Sequence, residues 1–229
     1  MDPKKKQQFT IIGAIVLVAV IAVGALIALS GRTTASSVDF SSLEKTRTQD
    51  GAFVLGDPDA PVTIVEFADF ACPHCQNYRH DIDRFIREHV ATGNAKFEYR
   101  FFPTVGGALT DFAGKVAVCV DEIRPGAFWE AYDIFYQLAE SGQYSDRMGS
   151  IIAERLGIDY SQVLDCTSEV NQVQTDVALG RQLGVTGTPA VMIRYGDGQP
   201  QFINANGRTY NSGGVPYDVL NQVVLASQQ

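Results

Sequence analysis

The tetrapeptide Cys72-Pro73-His74-Cys75 constrains this chain more than any other stretch, because it lies where a strand hands over to a helix. Upstream, Pro61 to Phe67 is β-branched, apolar and bounded by proline, which reads as a buried strand. Downstream, Tyr78, Ile82, Phe85, Ile86 and Val90 recur at helical spacing, and Gly93 offers a stop. Cys72 therefore falls near the N-cap and Pro73 at the first helical position, where a missing N–H is harmless. Unpaired backbone N–H groups and the positive end of the helix dipole then face the Cys72 sulfur. Such a position favours thiolate over thiol and makes the sulfur a good leaving group. His74 can add a positive charge or a hydrogen bond to the same atom. The motif reads as a redox site.

The alternatives are a plain stabilising disulfide or half of a metal site. A zinc site needs two further ligands at suitable spacing. The chain has three histidines: His74 lies inside the motif, and His80 and His89 lie on the helix after it. There is no second Cys-x-x-Cys, so no metal is expected. Haem attachment needs a histidine directly after the second cysteine, and Gln76 stands there.

The N-terminal forty residues serve another purpose. Ile11 to Leu29 is an apolar run of 19 residues, close to the roughly 20 that cross a bilayer and longer than a usual signal segment of about 7–15. Lys4, Lys5 and Lys6 precede it and only Arg32 closely follows, so the N-terminus is expected in the cytoplasm. A cleaved signal peptide is the rival reading, with Ala28-Leu29-Ser30 as a small-x-small site. Either way the remainder is exported, to a compartment where disulfides persist. Setting aside Asp2 and the three lysines leaves 25 acidic against 15 basic residues, a net charge near −10. That balance argues against nucleic-acid binding.

The expected organisation is a cytoplasmic N-terminus (1–9), a transmembrane anchor (10–29), a Ser/Thr-rich linker (30–50) and a globular part from Gly51. The globular part opens with strands at Phe53–Leu55 and Val62–Phe67, the helix after the motif, and a strand at Lys96–Phe102. In that last strand Phe97, Tyr99 and Phe101 alternate with Glu98 and Arg100, which predicts one core face and one partly polar face. From about Gly107 to Leu183 the pattern is helical, with segments at Met148–Arg155, Tyr160–Cys166 and Asn171–Leu183. The chain then returns to strands at Ala190–Arg194 and Gln201–Asn204 and a closing helix at Tyr217–Ala226. A small α/β domain (51–106 and 184–229) is thus split by a helical insertion (107–183).

With these pieces in place the chain resembles the DsbA-like thiol-disulfide oxidoreductases of bacteria. The resemblance spans roughly 51–227. It rests on Val-Glu-Phe-Ala-Asp-Phe-Ala-Cys-Pro-His-Cys at 65–75, Gly-Ala-Phe-Trp at 126–129 and Gly-Val-Thr-Gly-Thr-Pro-Ala at 184–190. It implies a thioredoxin fold interrupted by an α-helical insertion, preceded here by the transmembrane helix, and no soluble cofactor. It matches Cys72 to the exposed nucleophilic sulfur, Cys75 to the buried resolving one, and Pro189 to a proline that faces the disulfide through a cis peptide bond. Thr188 would then offer its backbone to a substrate peptide, pairing like a strand. Glu66 matches a semi-buried acid near the resolving cysteine, a proton acceptor; the alternative is an edge carboxylate without a role. Cys119 and Cys166 match a second, structural disulfide of some members, and two leftover cysteines in an exported protein usually pair. The best-known strongly oxidising members carry valine where Thr188 stands.

The expected reaction is disulfide donation to reduced exported proteins, with reoxidation by a quinone-linked membrane oxidase of the DsbB or VKOR type. Two rivals remain. One is a membrane-tethered reductase or isomerase using the same site. The other is a non-catalytic tethered binding domain with a structural Cys72–Cys75 bridge.

Overall fold

The computed structural model of the chain describes residues 38–228. The expected cytoplasmic N-terminus, the anchor at 10–29 and the linker residues 30–37 lie outside the described residues. Among the described residues no helix is long and apolar enough to cross a membrane.

Among the described residues, seven strands form one mixed sheet: β1 (Lys45–Arg47), β2 (Phe53–Leu55), β3 (Val62–Ala68), β4 (Lys96–Phe101), β5 (Ala190–Tyr195), β6 (Gln201–Ala205) and β7 (Arg208–Tyr210), ordered β1-β2-β4-β3-β5-β6-β7. Only β3 and β4 run parallel, with Glu66 opposite Tyr99; β3 pairs antiparallel with β5, with Glu66 opposite Val191. A parallel pair needs a crossover, and helix α1 (Pro73–Phe85) supplies it. A wider π turn at Ile86–Val90 extends α1, and Gly93, at φ +75°, ends it.

Five helices follow β4: α2 (Ala108–Ile123), α3 (Phe128–Glu140), α4 (Met148–Leu156), α5 (Tyr160–Thr167) and α6 (Gln172–Gln182). The last helix, α7 (Tyr217–Ala226), packs beside α1. Strand alternation divides β3 between two cores. Val62, Ile64 and Ala68 join α1 and the insertion helices in the larger one; Val65 and Phe67 join Phe102, Val185 and Met192 in the smaller. Helix α6 can lie on the smaller core because Gly180 has no side chain: a Cβ there would meet the Phe102 ring at 2.8 Å.

Three expectations need correction. Residues 38–50 were expected to be tether, yet Asp39 caps a short 3₁₀ turn at Phe40–Ser42 and β1 pairs with β2. Phe40 is buried, its ring stacked 5.8 Å from Trp129, which supplies the apolar partner that a Ser/Thr-rich composition conceals. The face of β4 carrying Glu98 and Arg100 is polar as expected but fully buried, because α6 covers it and Asp176 accepts from Arg100 at 2.8 Å. Glu98 and Asp50 complete the charge balance around Arg100, and Arg194 reaches Glu98 from β5. Strand β7, finally, is an edge strand of three residues, too short for an alternation signal.

A disulfide joins Cys119 of α2 to Cys166 of α5, 47 residues apart in sequence with Cα atoms 5.8 Å apart. Replacing both cysteines by alanine should lower stability by about 2–4 kcal/mol in urea titrations, through the loop-closure entropy returned to the unfolded chain. Phe40→Ala should lower it by about 3 kcal/mol; an unchanged urea midpoint would return residues 38–42 to the tether.

Candidate active site

Cys72 is the residue ahead of α1, with extended backbone at φ −74° and ψ 119°, and Pro73 occupies the first turn. The Cys72 carbonyl accepts from Gln76 N at 3.0 Å, which makes Cys72 the N-cap of α1, at the positive end of the helix dipole, though its side chain makes no capping hydrogen bond. Cys72 and Cys75 are both free thiols. The Thr188–Pro189 peptide is cis, and the Thr188 carbonyl accepts from Cys72 Sγ at 3.4 Å. This contact overturns the expectation of an exposed Cys72. The residue is only 4% accessible, because the loop carrying Thr188 and Pro189 lies against its sulfur.

The segment before Cys72 is fixed from two sides. Phe70 is buried among Tyr99, Phe135 and Tyr136, so its ring ties the motif to β4 and α3. Asp69, also buried, accepts at Oδ1 from Ala71 N (2.8 Å) and at Oδ2 from Thr104 N (2.8 Å) and Val105 N (2.9 Å). The Thr104 hydroxyl donates to the same oxygen at 3.3 Å and lies 2.7 Å from the Thr188 hydroxyl. Asp69 thus links the motif, the loop after β4 and the cis-proline loop. Its bonds to residues 35 and 36 positions away join segments that no local sequence pattern connects.

Cys75 is wholly buried, and burial pushes its thiol up, with the Glu66 carboxylate adding to the effect. Glu66 is 1% accessible, more buried than the semi-buried acid expected, because α1 and α3 close over that face of β3. Burial raises its carboxyl to about 8; the Arg79 guanidinium pulls it down and Asp83 pushes it up. Arg79 is the signal that sequence reasoning missed. It lies over the rings of Tyr132 and Tyr136 and is held by Asp83 and Asp133, a cation buried inside the helix interface.

His74 is exposed, and among the described residues no hydrogen bond joins its ring to Cys72. It lines a groove of about 600 Å³ with Asn77, Tyr78 and Asp81 of α1, residues 186–189, and Ser212, Gly213 and Gly214. Gly214 is obligatory in that wall, since a Cβ there would stand 2.3 Å from the Tyr78 ring. Among the described residues no group of His, Cys, Asp or Glu side chains could hold a metal ion.

A cysteine pair at a helix start, facing a cis-proline across a mixed sheet, is the arrangement to which the family model for thioredoxin corresponds, and that model matches residues 48–197. The chain belongs to the thioredoxin family. It is 29% identical over 157 residues to the probable disulfide bond formation protein D of Bacillus cereus, covering 65% of this chain and 72% of that protein. With disulfide bond formation protein D of Bacillus subtilis it shares 26% identity over 153 residues, 62% of this chain and 68% of the other. Among solved structures, oxidised BdbD of Bacillus subtilis superposes with a TM-score of 0.59 at 23% identity, covering 76% of this chain and 91% of that one. Alpha-DsbA1 of Wolbachia pipientis gives 0.64 at 18% identity, covering 79% and 92%. The thioredoxin fold with a helical insertion fits both neighbours, and this member of the family is a thiol-disulfide oxidoreductase of the DsbA type.

The raised Glu66 carboxyl has a thermodynamic sign. Between the unfolded value of about 4.3 and the folded value the native state binds more protons than the unfolded one, so stability falls as pH rises through that window. Glu66→Gln should remove this loss. Relative to the parent it should gain up to about 1.4 kcal/mol per pH unit across the window, read as urea midpoints at several pH values. Parallel stability curves for the two proteins would mean that Glu66 is ionised as it folds.

Proposed function

We propose that this oxidoreductase introduces disulfides into exported proteins through Cys72-Pro73-His74-Cys75. The observation that carries the reading is the meeting of Cys72 Sγ with the Thr188 carbonyl, 3.4 Å apart, at the mouth of an open groove. In the oxidised protein a substrate thiolate attacks Cys72 Sγ. The Cys72–Cys75 bond breaks and Cys75 leaves as a thiolate that takes up a proton. A second substrate thiolate then attacks the substrate sulfur of the mixed disulfide, and Cys72 leaves as a thiolate. Two electrons have passed from substrate to protein, and a redox partner must remove them; a quinone-linked membrane oxidase of the DsbB or VKOR type fits that need.

Each residue has a part in this scheme. Cys72 forms the mixed disulfide, since its sulfur lies against the Thr188 carbonyl of the groove-lining cis-proline loop, while Cys75 is wholly buried. Glu66 receives or returns the Cys75 proton, a task suited to a carboxyl raised to about 8. Pro73 fixes the first turn without wasting a donor, and His74, exposed on that turn, lines the groove that would receive the substrate. Thr188 offers backbone groups to the substrate, with Pro189 closing the loop over the sulfur. Residues 10–29 would anchor the enzyme with its N-terminus in the cytoplasm, residues 30–37 would space it from the bilayer, and the catalytic domain would face the exported proteins.

Cys75→Ala, its Cys72 loaded as a mixed disulfide with glutathione, should accumulate mixed disulfides when offered a reduced, unfolded protein with a single cysteine, because the substrate thiolate displaces glutathione and neither Cys75 nor a second substrate thiol remains to release Cys72. Cys72→Ala should accumulate none. Non-reducing gels read both, and equal trapping by the two variants would reverse or remove the assigned roles.

A further inference from the structure

The groove beside Cys72 has a charge pattern of its own. His74, Asn77, Tyr78 and Asp81 recur at the spacing of one face of α1, and all four line the groove opposite the cis-proline loop. The far wall is Ser212, Gly213 and Gly214, where the Tyr78 ring forbids a side chain at Gly214 and Gly213 bridges to Ala190 at the start of β5. Backbone rather than side chains therefore faces the groove on that side, a surface suited to an extended peptide.

Asp81 is the one carboxylate in this lining, and it is half-buried. The other acids of the same helical stretch have arginine partners: Asp83 pairs with Arg79 at 2.5 Å and Glu88 with Arg84 at 2.9 Å. Arg84, three residues beyond Asp81, is committed elsewhere, its guanidinium 3.7 Å above the Tyr217 ring. Among the described residues Asp81 has neither an ion pair nor a hydrogen bond; its one noted interaction is the field it exerts on Tyr78. A carboxylate so placed, partly desolvated and without a partner of its own, is a waiting half of an ion pair.

We propose that Asp81 is a specificity residue, selecting substrate segments that carry lysine or arginine about four residues from the reacting cysteine. The spacing follows from geometry. Nine residues of α1 separate Cys72 from Asp81, about 13.5 Å along the helix at the usual rise, and an extended peptide covers that distance in about four residues. The inference rests on Cys72 being the residue that forms the mixed disulfide, and it adds which chains are held there.

Competition between synthetic single-cysteine peptides tests it. Full-length protein carrying Cys75→Ala, its Cys72 first loaded as a mixed disulfide with glutathione, is equilibrated with pairs of peptides that differ only in lysine or glutamate four residues from the cysteine, on either side, so that a peptide thiolate displaces glutathione from Cys72. The ratio of mixed disulfides on Cys72 is then read by mass spectrometry. The lysine peptide should be favoured about two- to fivefold at low salt, the size of one exposed to half-buried ion pair, and the preference should shrink toward parity at about 0.5 M salt. Asp81→Asn should abolish the preference and Asp81→Lys should reverse it. The same preference in the parent and in Asp81→Lys would overturn the proposal. So would an equal preference when the lysine adjoins the cysteine. Failure of every peptide to form a disulfide with Cys72 would instead remove the active-site reading beneath it.

Discussion

The carboxylate of Asp69 holds together the parts of this molecule that matter for its chemistry. Buried, it accepts three backbone N–H bonds from the two segments that leave the paired ends of β3 and β4: Ala71 before the motif, and Thr104 and Val105 after β4. Such donors would be left unpaired without it, and an unpaired buried N–H is expensive. Phe70 adds the apolar half of the same anchor, packed against Tyr99, Phe135 and Tyr136. With the chain pinned on both sides of Ala71, α1 has one place to start, and Cys72 meets the Thr188 carbonyl there.

A second polar choice follows from the first. Once α1 and the insertion helices close over β3, Glu66 is enclosed with Cys75 and the rings of Tyr99 and Tyr132. The field of Arg79, itself sandwiched over Tyr132 and Tyr136, is the main counterweight to the desolvation of Glu66. The result is a buried carboxyl, raised to about 8, in the same enclosed region as the Cys75 thiol that burial also pushes up.

The places where the sequence misled share one cause. Alternation in β4 and the Ser/Thr composition of residues 38–50 are local signals, and each was overruled by a distant segment. Arg100 and Glu98 are buried because Asp176, 76 residues on from Arg100, arrives on α6 to pair with the arginine. Phe40 is buried because Trp129 and Tyr132 offer it a surface. The exposure expected of Cys72 failed likewise, since the loop that covers it lies 116 residues away.

What the sequence determined by itself was chemistry and periodicity. Cys72-Pro73-His74-Cys75 at a strand-to-helix junction named the reactive sulfurs as candidates, because propensity and capping act over a few residues. The apolar stripes located α1, the insertion helices α4 to α6 and the closing helix within a residue or two for the same reason. Only the tertiary structure decided how those sulfurs are covered, which carboxyl is sealed in beside Cys75, and that Asp81 faces a groove without a partner. Those properties depend on burial and on contacts between segments far apart in the chain, and no local pattern encodes the company that a side chain keeps.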